Sequence, residues 1–326
     1  MLEKKNLTLS IVTACYNSTK FIYRLHDSLC RQGYKNFEWI IVDDCSTDNT
    51  VEILKSLSSP GYGGIKVYKL PQNSGGGVAF GFGVEKCQGE ICMIIDHDDE
   101  LIDSALSIAI DEWKLVEERP EIAGLFYRRL DPLISQVIGE ELRPGTEFSM
   151  SWQANIKPSI TDGFSAVKTE IAKHYFNSRS LELICLFGVP STLMTKKYKL
   201  IAGQERPLLL YHRDNIGSQT NSIKISRKTV YTYAKYIDAY DFYYFRRPLR
   251  WIRHIISLIK FSIAVHGHPT FHHKFIKSKF ICGLSFFLLP LGVLSFLYSK
   301  SRGSIFILDY SDFPLDDLNR LVNIHQ

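Results

Sequence analysis

Two short stretches crowd carboxylates together in a way that needs a chemical reason. In "CMIIDHDDELID" (92–103) an apolar run ends in Asp96, His97, Asp98, Asp99 and Glu100. In "VDDCSTDNT" (42–50) a second apolar run ends in Asp43 and Asp44. Acids this close repel and raise one another's pKa, so they are either well solvated or neutralised by a cation. Hard carboxylate oxygens suit Mg²⁺ or Mn²⁺, with a substrate diphosphate completing the shell. Such an ion stabilises a departing nucleoside diphosphate. If the chain stays extended past Ile95, alternation puts Asp96 and Asp98 on one side and His97 on the other. The plainer reading makes Asp98 or Asp99 the cap of a helix starting near Leu101, but four acids exceed what one cap needs. His97 reads as a structural or solvated histidine. Asp43 and Asp44 also carry two readings: a turn ahead of a helix capped by Ser46, or a carboxylate that binds a base N–H or ribose hydroxyl.

The elements around these acids alternate. "LSIVTAC" (9–15) is an apolar strand run, and "FEWIIVDD" (37–44), "IKVYKL" (65–70) and "ICMII" (91–95) read as further strands. Between them lie helical signals over about 19–31, capped by Asn17 or Ser18, and over "TDNTVEILKSL", with a Gly-rich helix entry at 73–90. A helical period follows over 101–118. Strand–helix alternation predicts a largely parallel sheet with covering helices. Ligands of such sheets bind at the carboxyl ends of strands, which is where both acid clusters fall. Residues 131–225 carry mixed patterns. The Gly-rich stretch is not a dinucleotide fingerprint, because Gly75 and Gly77 would need a third glycine where Phe80 stands. A receiver domain is excluded because a full strand–helix unit precedes the first acidic strand.

At 326 residues, 45% hydrophobic and 22% charged, the chain is globular, with ample core for one large domain or two modest ones. Its seven cysteines show no metal spacing and sit mostly in apolar runs, as in a reducing compartment. The N-terminus lacks the h-region of a signal peptide, so the catalytic portion is expected to face the cytoplasm. Ten cations and no acid lie between Asp241 and Asp309. Because the whole chain carries +5, taking away those ten charges leaves −5 on the remainder. Within the basic region, Phe280 to Tyr298 holds no charge, and a helix of that length spans roughly 28 Å, close to a bilayer's hydrocarbon thickness. A buried core helix is the alternative, and Pro290 permits a re-entrant hairpin. The preceding "RRPLRWIRHIISLIKF" (246–261) has the make-up of an interfacial helix on anionic lipid. The partner is therefore read as a membrane and not as nucleic acid.

In order and spacing, "LSIVTACYNS", "FEWIIVDDCSTDNTVEIL", "NSGGGVAFGFGVEKCQGEI" and "IIDHDDELID" resemble the family 2 glycosyltransferases of the GT-A fold. The resemblance is strong over 7–130 and fades over 131–225. It implies a Rossmann-like α/β fold with a mixed, mainly parallel sheet and helices on both faces. It also implies an inverting transferase that uses a nucleotide sugar, a UDP-sugar favoured, with Mg²⁺ or Mn²⁺. Carried over, Ala14, Tyr16 and Asn17 line the nucleotide pocket together with Gly75, and Asp44 contacts the base. Asp96, Asp98 and Asp99 match the DXD-type motif: Asp98 is the chief metal ligand with Asp96, and Asp96 and Asp99 also reach the sugar nucleotide. Glu182 in "SLELICLFG" is the nearest match to the general base, with Asp162 in "ITDGF" second; His212 or Arg213 could meet the diphosphate. The chain departs from the family pattern at Ala14, where proline is common, and at Phe80-Gly81, where Arg-Asn is common.

The expected organisation is a GT-A domain over 1–225, a basic amphipathic helical region over 226–279, a membrane-inserting segment over 280–298 and a tail over 299–326. The expected activity is transfer of a sugar to a membrane-held saccharide acceptor, polyprenyl-linked, at the cytoplasmic face of a cell membrane in surface-polysaccharide synthesis. A non-catalytic nucleotide-sugar-binding subunit of a membrane complex is the competing class.

Overall fold

The computed structural model describes residues 8–138, 141–149, 163–182, 188–204, 206–214, 227–239 and 248–301. The chain forms two compact units, Met1–Glu182 with Pro190–Ile216, and Leu183–Val189 with Gly217–Gln326.

The first unit opens with β1 (Leu9–Cys15), α1 (Ile22–Cys30), β2 (Phe37–Asp43), α2 (Thr50–Ser56), β3 (Ile65–Lys69), α3 (Gly76–Lys86) and β4 (Ile91–Ile94). β1 and β2 are buried on both faces, as their mainly apolar sequences favour, and the polar side chains they carry pair inside, Ser10 with Glu38 and Thr13 with Trp39. Their side chains alternate between two helical layers. Ile11, Trp39 and Ile41 join a core with Leu25 and Leu29 of α1. Val12, Ile40 and Val42 turn the other way and lie against Gly83 of α3. β5 (Glu100–Leu101), α4 (Ala105–Glu112), β6 (Ile122–Tyr127), β7 (Arg129–Asp131), β8 (Gln136–Ile138) and β9 (Glu147–Phe148) follow. Then come β10 (Phe164–Lys168), α5 (Thr169–Tyr175), α6 (Ser178–Glu182), α7 (Gly188–Lys197), β11 (Lys199–Ala202) and β12 (Leu209–Leu210).

Eight strands form one sheet in the order β3-β2-β1-β4-β10-β6-β11-β9, and four form a second, β5-β12-β7-β8. β1 pairs in parallel with β2 on one side and β4 on the other. The strand order therefore reverses beside β1, and the crevice at that switch point lies outside the carboxyl ends of β1, β2 and β4. β10 runs antiparallel between β4 and β6, which makes the sheet mixed.

The helical signal over 101–118 resolves differently from its reading in sequence. Leu101 pairs in β5 with Leu209 of β12, and α4 begins only at Ala105, after Ser104 at φ +67°. Asp99 therefore caps no helix. The reason is nonlocal, because the partner strand β12 lies more than a hundred residues further along. Glu100 and Asp103 both pair with Arg31, at 2.7 and 3.1 Å. The cap expected of Ser46 is absent too. α2 starts at Thr50, whose N–H and Oγ1–H both donate to Asp48 Oδ1.

The second unit contains α8 (Arg227–Ala239), α9 (Pro248–His266), a 3-10 turn (Phe271–Lys274) and α10 (Lys279–Ser301). α10 runs unbroken through Pro290, so no re-entrant hairpin forms there. α9 and α10 pack antiparallel, with Gly292 against Ile259 near mid-helix and His273 bonded to Ser285 by the connecting turn.

Candidate functional site

The ends of β1 and β2 are stitched into one platform. Asp44 N–H donates to Cys15 O (2.8 Å), Asn17 N–H to Ser46 Oγ (2.9 Å) and Ser18 N–H to Thr50 Oγ1 (2.7 Å). Asn17 and Cys45 both adopt left-handed backbone, at φ +51° and +61°. Such strain is held only where surrounding bonds over-determine it, and Asn17 Oδ1 indeed accepts from Thr47 N–H and Oγ1–H. Ser46, read from sequence as a cap, instead holds Asn17 in place and donates its own N–H to buried Asp43. Ala14 is buried and Tyr16 is 44% exposed beside it.

Asp44 is 2% exposed, and its two carboxylate oxygens accept from Ser74 N–H and Gly75 N–H, each at 2.7 Å. Gly75 stands at φ +91°, a conformation that only glycine adopts freely. Asp44 thus pins the loop entering α3 across the end of β2, and Gly75 comes to the site through that bond.

The acid-rich stretch does not stay extended past Ile95. Ile95 N–H makes the last strand bond to Val12 O (3.0 Å), and Asp99 N–H then turns back to Asp96 O (3.2 Å). The bend carries His97 to Ala14 O (3.2 Å), where it ties the turn to β1 and serves as a structural residue. Asp96 and Asp98 are half-buried at this turn, while Asp99 is fully buried. Burial raises the Asp99 carboxyl to about 8; Asp96 and Asp98 add to the rise, and Arg129 opposes it. Among the described residues Asp99 Oδ2 is buried with no hydrogen-bond partner, and Oδ1 accepts a long bond from His212 N–H (3.4 Å).

Several residues close the site that sequence reasoning passed over. Arg24 of α1 donates to Asp98 O (2.8 Å) and forks onto Asp214 (2.6 and 3.1 Å). One guanidinium thereby ties α1, the acid-rich turn and the segment after β12. Arg129 comes two residues after the end of β6, and its place in "YRRLD" was the one signal available. His212 meets Glu100 (3.3 Å), and Arg213 pairs with buried Asp131 (2.9 Å). In this structure both residues serve carboxylates of the protein.

The side chains of the two candidates for general base fall outside the described residues. Asp162 lies outside the described residues. Glu182 ends α6, and its side chain lies outside them as well. What positions α6 is described: Ser178 N–H and Oγ–H both donate to Glu85 of α3, and a Cβ on Gly81 would stand 2.4 Å from Ser178 N and Cα. The glycine at 81 therefore has a packing reason, because a larger residue would collide with backbone. Gly81→Ala is expected to destabilise the fold by roughly 1–3 kcal/mol, read from urea unfolding; an unchanged midpoint would show that α6 moves away freely.

A pH effect follows from Asp99. Its carboxyl titrates near 3.8 unfolded and about 8 folded, so between those values the folded state holds one more proton. On this group's account stability is fullest below pH ~4 and falls as pH rises towards ~8. Asn at this position carries no titrating proton. The melting temperature of the wild type relative to Asp99→Asn is expected to fall across that window, and a constant difference would refute the assignment.

Among the described residues no three His, Cys, Asp or Glu side chains converge on one point as a closed metal site would. The donors fit an open one. Asp96 and Asp98 supply hard oxygens, and Mg²⁺ or Mn²⁺ is commonly held by one or two carboxylates plus substrate phosphates.

A family model, glycosyl transferase family 2, matches residues 10–176, more than half of the chain. The chain is 35% identical over 112 residues to the poly(ribitol-phosphate) beta-N-acetylglucosaminyltransferase TarS of Staphylococcus aureus, covering 32% of this chain and 19% of that protein. It is 37% identical over 92 residues to TuaG of Bacillus subtilis, a putative teichuronic acid biosynthesis glycosyltransferase, covering 28% and 36%. With the glycosyltransferase GlyG of Streptococcus pneumoniae it shares 32% over 191 residues, covering 53% and 62%. Each alignment spans less than two thirds of the relative's length. In three dimensions it resembles the crystal structure of S. aureus TarS 1–349 in complex with UDP-GlcNAc, with a TM-score of 0.58, 16% identity, and 91% and 92% of the two chains covered. At that identity the likeness is one of fold.

Proposed function

Because the chain belongs to glycosyl transferase family 2, we propose that it moves one sugar from a UDP-sugar to a membrane-held, polyprenyl-linked saccharide acceptor in bacterial surface-polysaccharide synthesis. The observation that carries this reading is the meeting of Asp44, the Gly75 loop and the Asp96–Asp99 turn at one switch point of the sheet. The donors named for TarS and the cell-wall polymers named for TarS and TuaG support the choice of substrate class. A membrane address is supported by Lys279–Ser299, an apolar helical stretch of mean hydropathy 2.3 of which only 22% is buried.

In the proposed mechanism the Asp44-braced loop and the β1 end hold the nucleotide. Asp98 and Asp96 would hold a divalent ion, which when bound neutralises diphosphate charge. Glu182, or Asp162, would take the proton of the acceptor hydroxyl as its oxygen bonds to the anomeric carbon. The bond from that carbon to the diphosphate breaks, and the nucleoside diphosphate leaves with the bonding pair, inverting the centre. Asp99, buried beside Asp96 and Asp98, would hydrogen-bond a donor hydroxyl. Arg24 keeps the turn and the 211–214 segment together.

Melting curves against UDP, GDP, ADP and CDP with Mn²⁺ test the donor class. A ligand at a hundred times its Kd stabilises by ~2.7 kcal/mol, so UDP is expected to raise the melting temperature by several degrees and above the others. A larger rise with GDP would overturn the uridine assignment, and no rise with any of them would overturn the site.

A further inference from the structure

The helical unit has more apolar surface than its own packing uses, and most of it lies along one broad side of α10, where Phe286, Val293 and Leu297 flank the residues that follow. Phe280, Phe287, Leu291, Leu294 and Tyr298 are 56, 85, 49, 62 and 59% exposed. Their spacings of seven, four, three and four residues put them on a single face of α10, over ~27 Å of its length. The opposite face is covered: Ile281 and Ser285 are buried and Gly292 lies against Ile259 of α9.

We propose that α10 lies in the plane of an anionic bilayer, with this stripe at the headgroup–acyl boundary, and does not cross it. The inference deepens the membrane-held reading above and rests on it. By composition α10 could span a membrane, but its partner helix could not follow it. Ile259 meets Gly292 near mid-helix, so the neighbouring Lys260 sits at the level of α10's centre. Arg253 is exposed one to two turns away on the same helix. α9 shares its core with α8 as well: Tyr233 packs edge-on to Phe261 at 5.0 Å. α8 brings Lys235, and Asp238 accepts Lys277 N–H at 3.0 and 3.1 Å. A spanning α10 would therefore draw Lys260 and Arg253 towards the hydrocarbon, where charges are costly, and would hold Lys235 and Asp238 against its entry point.

The in-plane arrangement exposes none of them to that cost. It buries a stripe that the protein leaves bare, as interfacial helices do. It also brings exposed Lys274, Lys277 and Lys279 to the headgroups beside the start of α10. With no acidic residue between Asp241 and Asp309, nothing in this region of the sequence repels an anionic surface.

The test uses the full chain with a C-terminal epitope tag. It is expected to float with phosphatidylglycerol vesicles and far less with phosphatidylcholine. Phe287→Asp with Leu294→Asp should cut the bound fraction at least tenfold, with melting temperature and donor hydrolysis unchanged. In spheroplasts of an expressing bacterium, added protease should spare the tag, and remove it only after lysis. Loss of the tag from intact spheroplasts would overturn the in-plane arrangement while leaving the membrane reading standing. A chain that never floats would overturn both, and a dimer dissociated by the double variant without flotation would assign the stripe to a second copy.

Discussion

Asp98→Ala is expected to lower sugar-nucleotide turnover by about a hundredfold to a thousandfold while leaving the melting temperature nearly unchanged. The first expectation comes from charge. A cation on a leaving diphosphate contributes several kcal/mol, and each 1.36 kcal/mol is a tenfold change in rate. The second comes from geometry. Asp98 is half-buried, and the bond that anchors its turn runs from Arg24 to the backbone carbonyl, which alanine keeps. Donor hydrolysis and transfer, measured with Mn²⁺ and after EDTA, give the readout. The wild type should lose activity on chelation to roughly the level of the variant. Equal turnover by the variant, or indifference of the wild type to chelation, would sink the proposed role.

Asp44→Ala should act on both stability and donor affinity. The substitution strands two backbone donors, Ser74 N–H and Gly75 N–H, in a site that is almost fully buried. Each orphaned donor costs about 1–3 kcal/mol, and bonds to a charged acceptor lie at the upper end. A loss of roughly 2–4 kcal/mol is expected from urea unfolding. UDP affinity by calorimetry should fall at least about tenfold, because the loop that carries Gly75 is no longer held across the β2 end. The pair of measurements separates the two roles that the "VDD" stretch allows. Lost stability with unchanged UDP affinity would make Asp44 a loop brace alone.

The parts of this molecule that could be read without its fold are those governed by neighbours in sequence. The mainly apolar runs at 9–15 and 37–43 are strands buried on both faces, with their few polar side chains paired inside: Ser10 with Glu38, Thr13 with Trp39, and Asp43 with Ser46 N–H. Acids placed directly after the runs at 37–43 and 91–95 reach the carboxyl edge of the sheet whatever the rest of the chain does. Charge depletion over 280–298 likewise implies a helix that seeks apolar surroundings, with or without a core to enter.

Other features depend on which distant segments arrive. The late start of α4 follows from β12 pairing with β5. The tie from Arg24 to Asp214 joins residues 190 apart, so neither the helix period around Arg24 nor the loop composition around Asp214 could signal it. Gly81 reads as a gap in a family pattern until Ser178 presses its backbone there. Asp99 is one acid among four in sequence, and only its burial in the fold sets it apart, pushing its carboxyl above the usual range. Local periodicity records how a segment divides its own faces between water and core. It holds no record of which partner covers a face or crosses a loop end, because that is decided when the chain closes on itself and buries charge and backbone together.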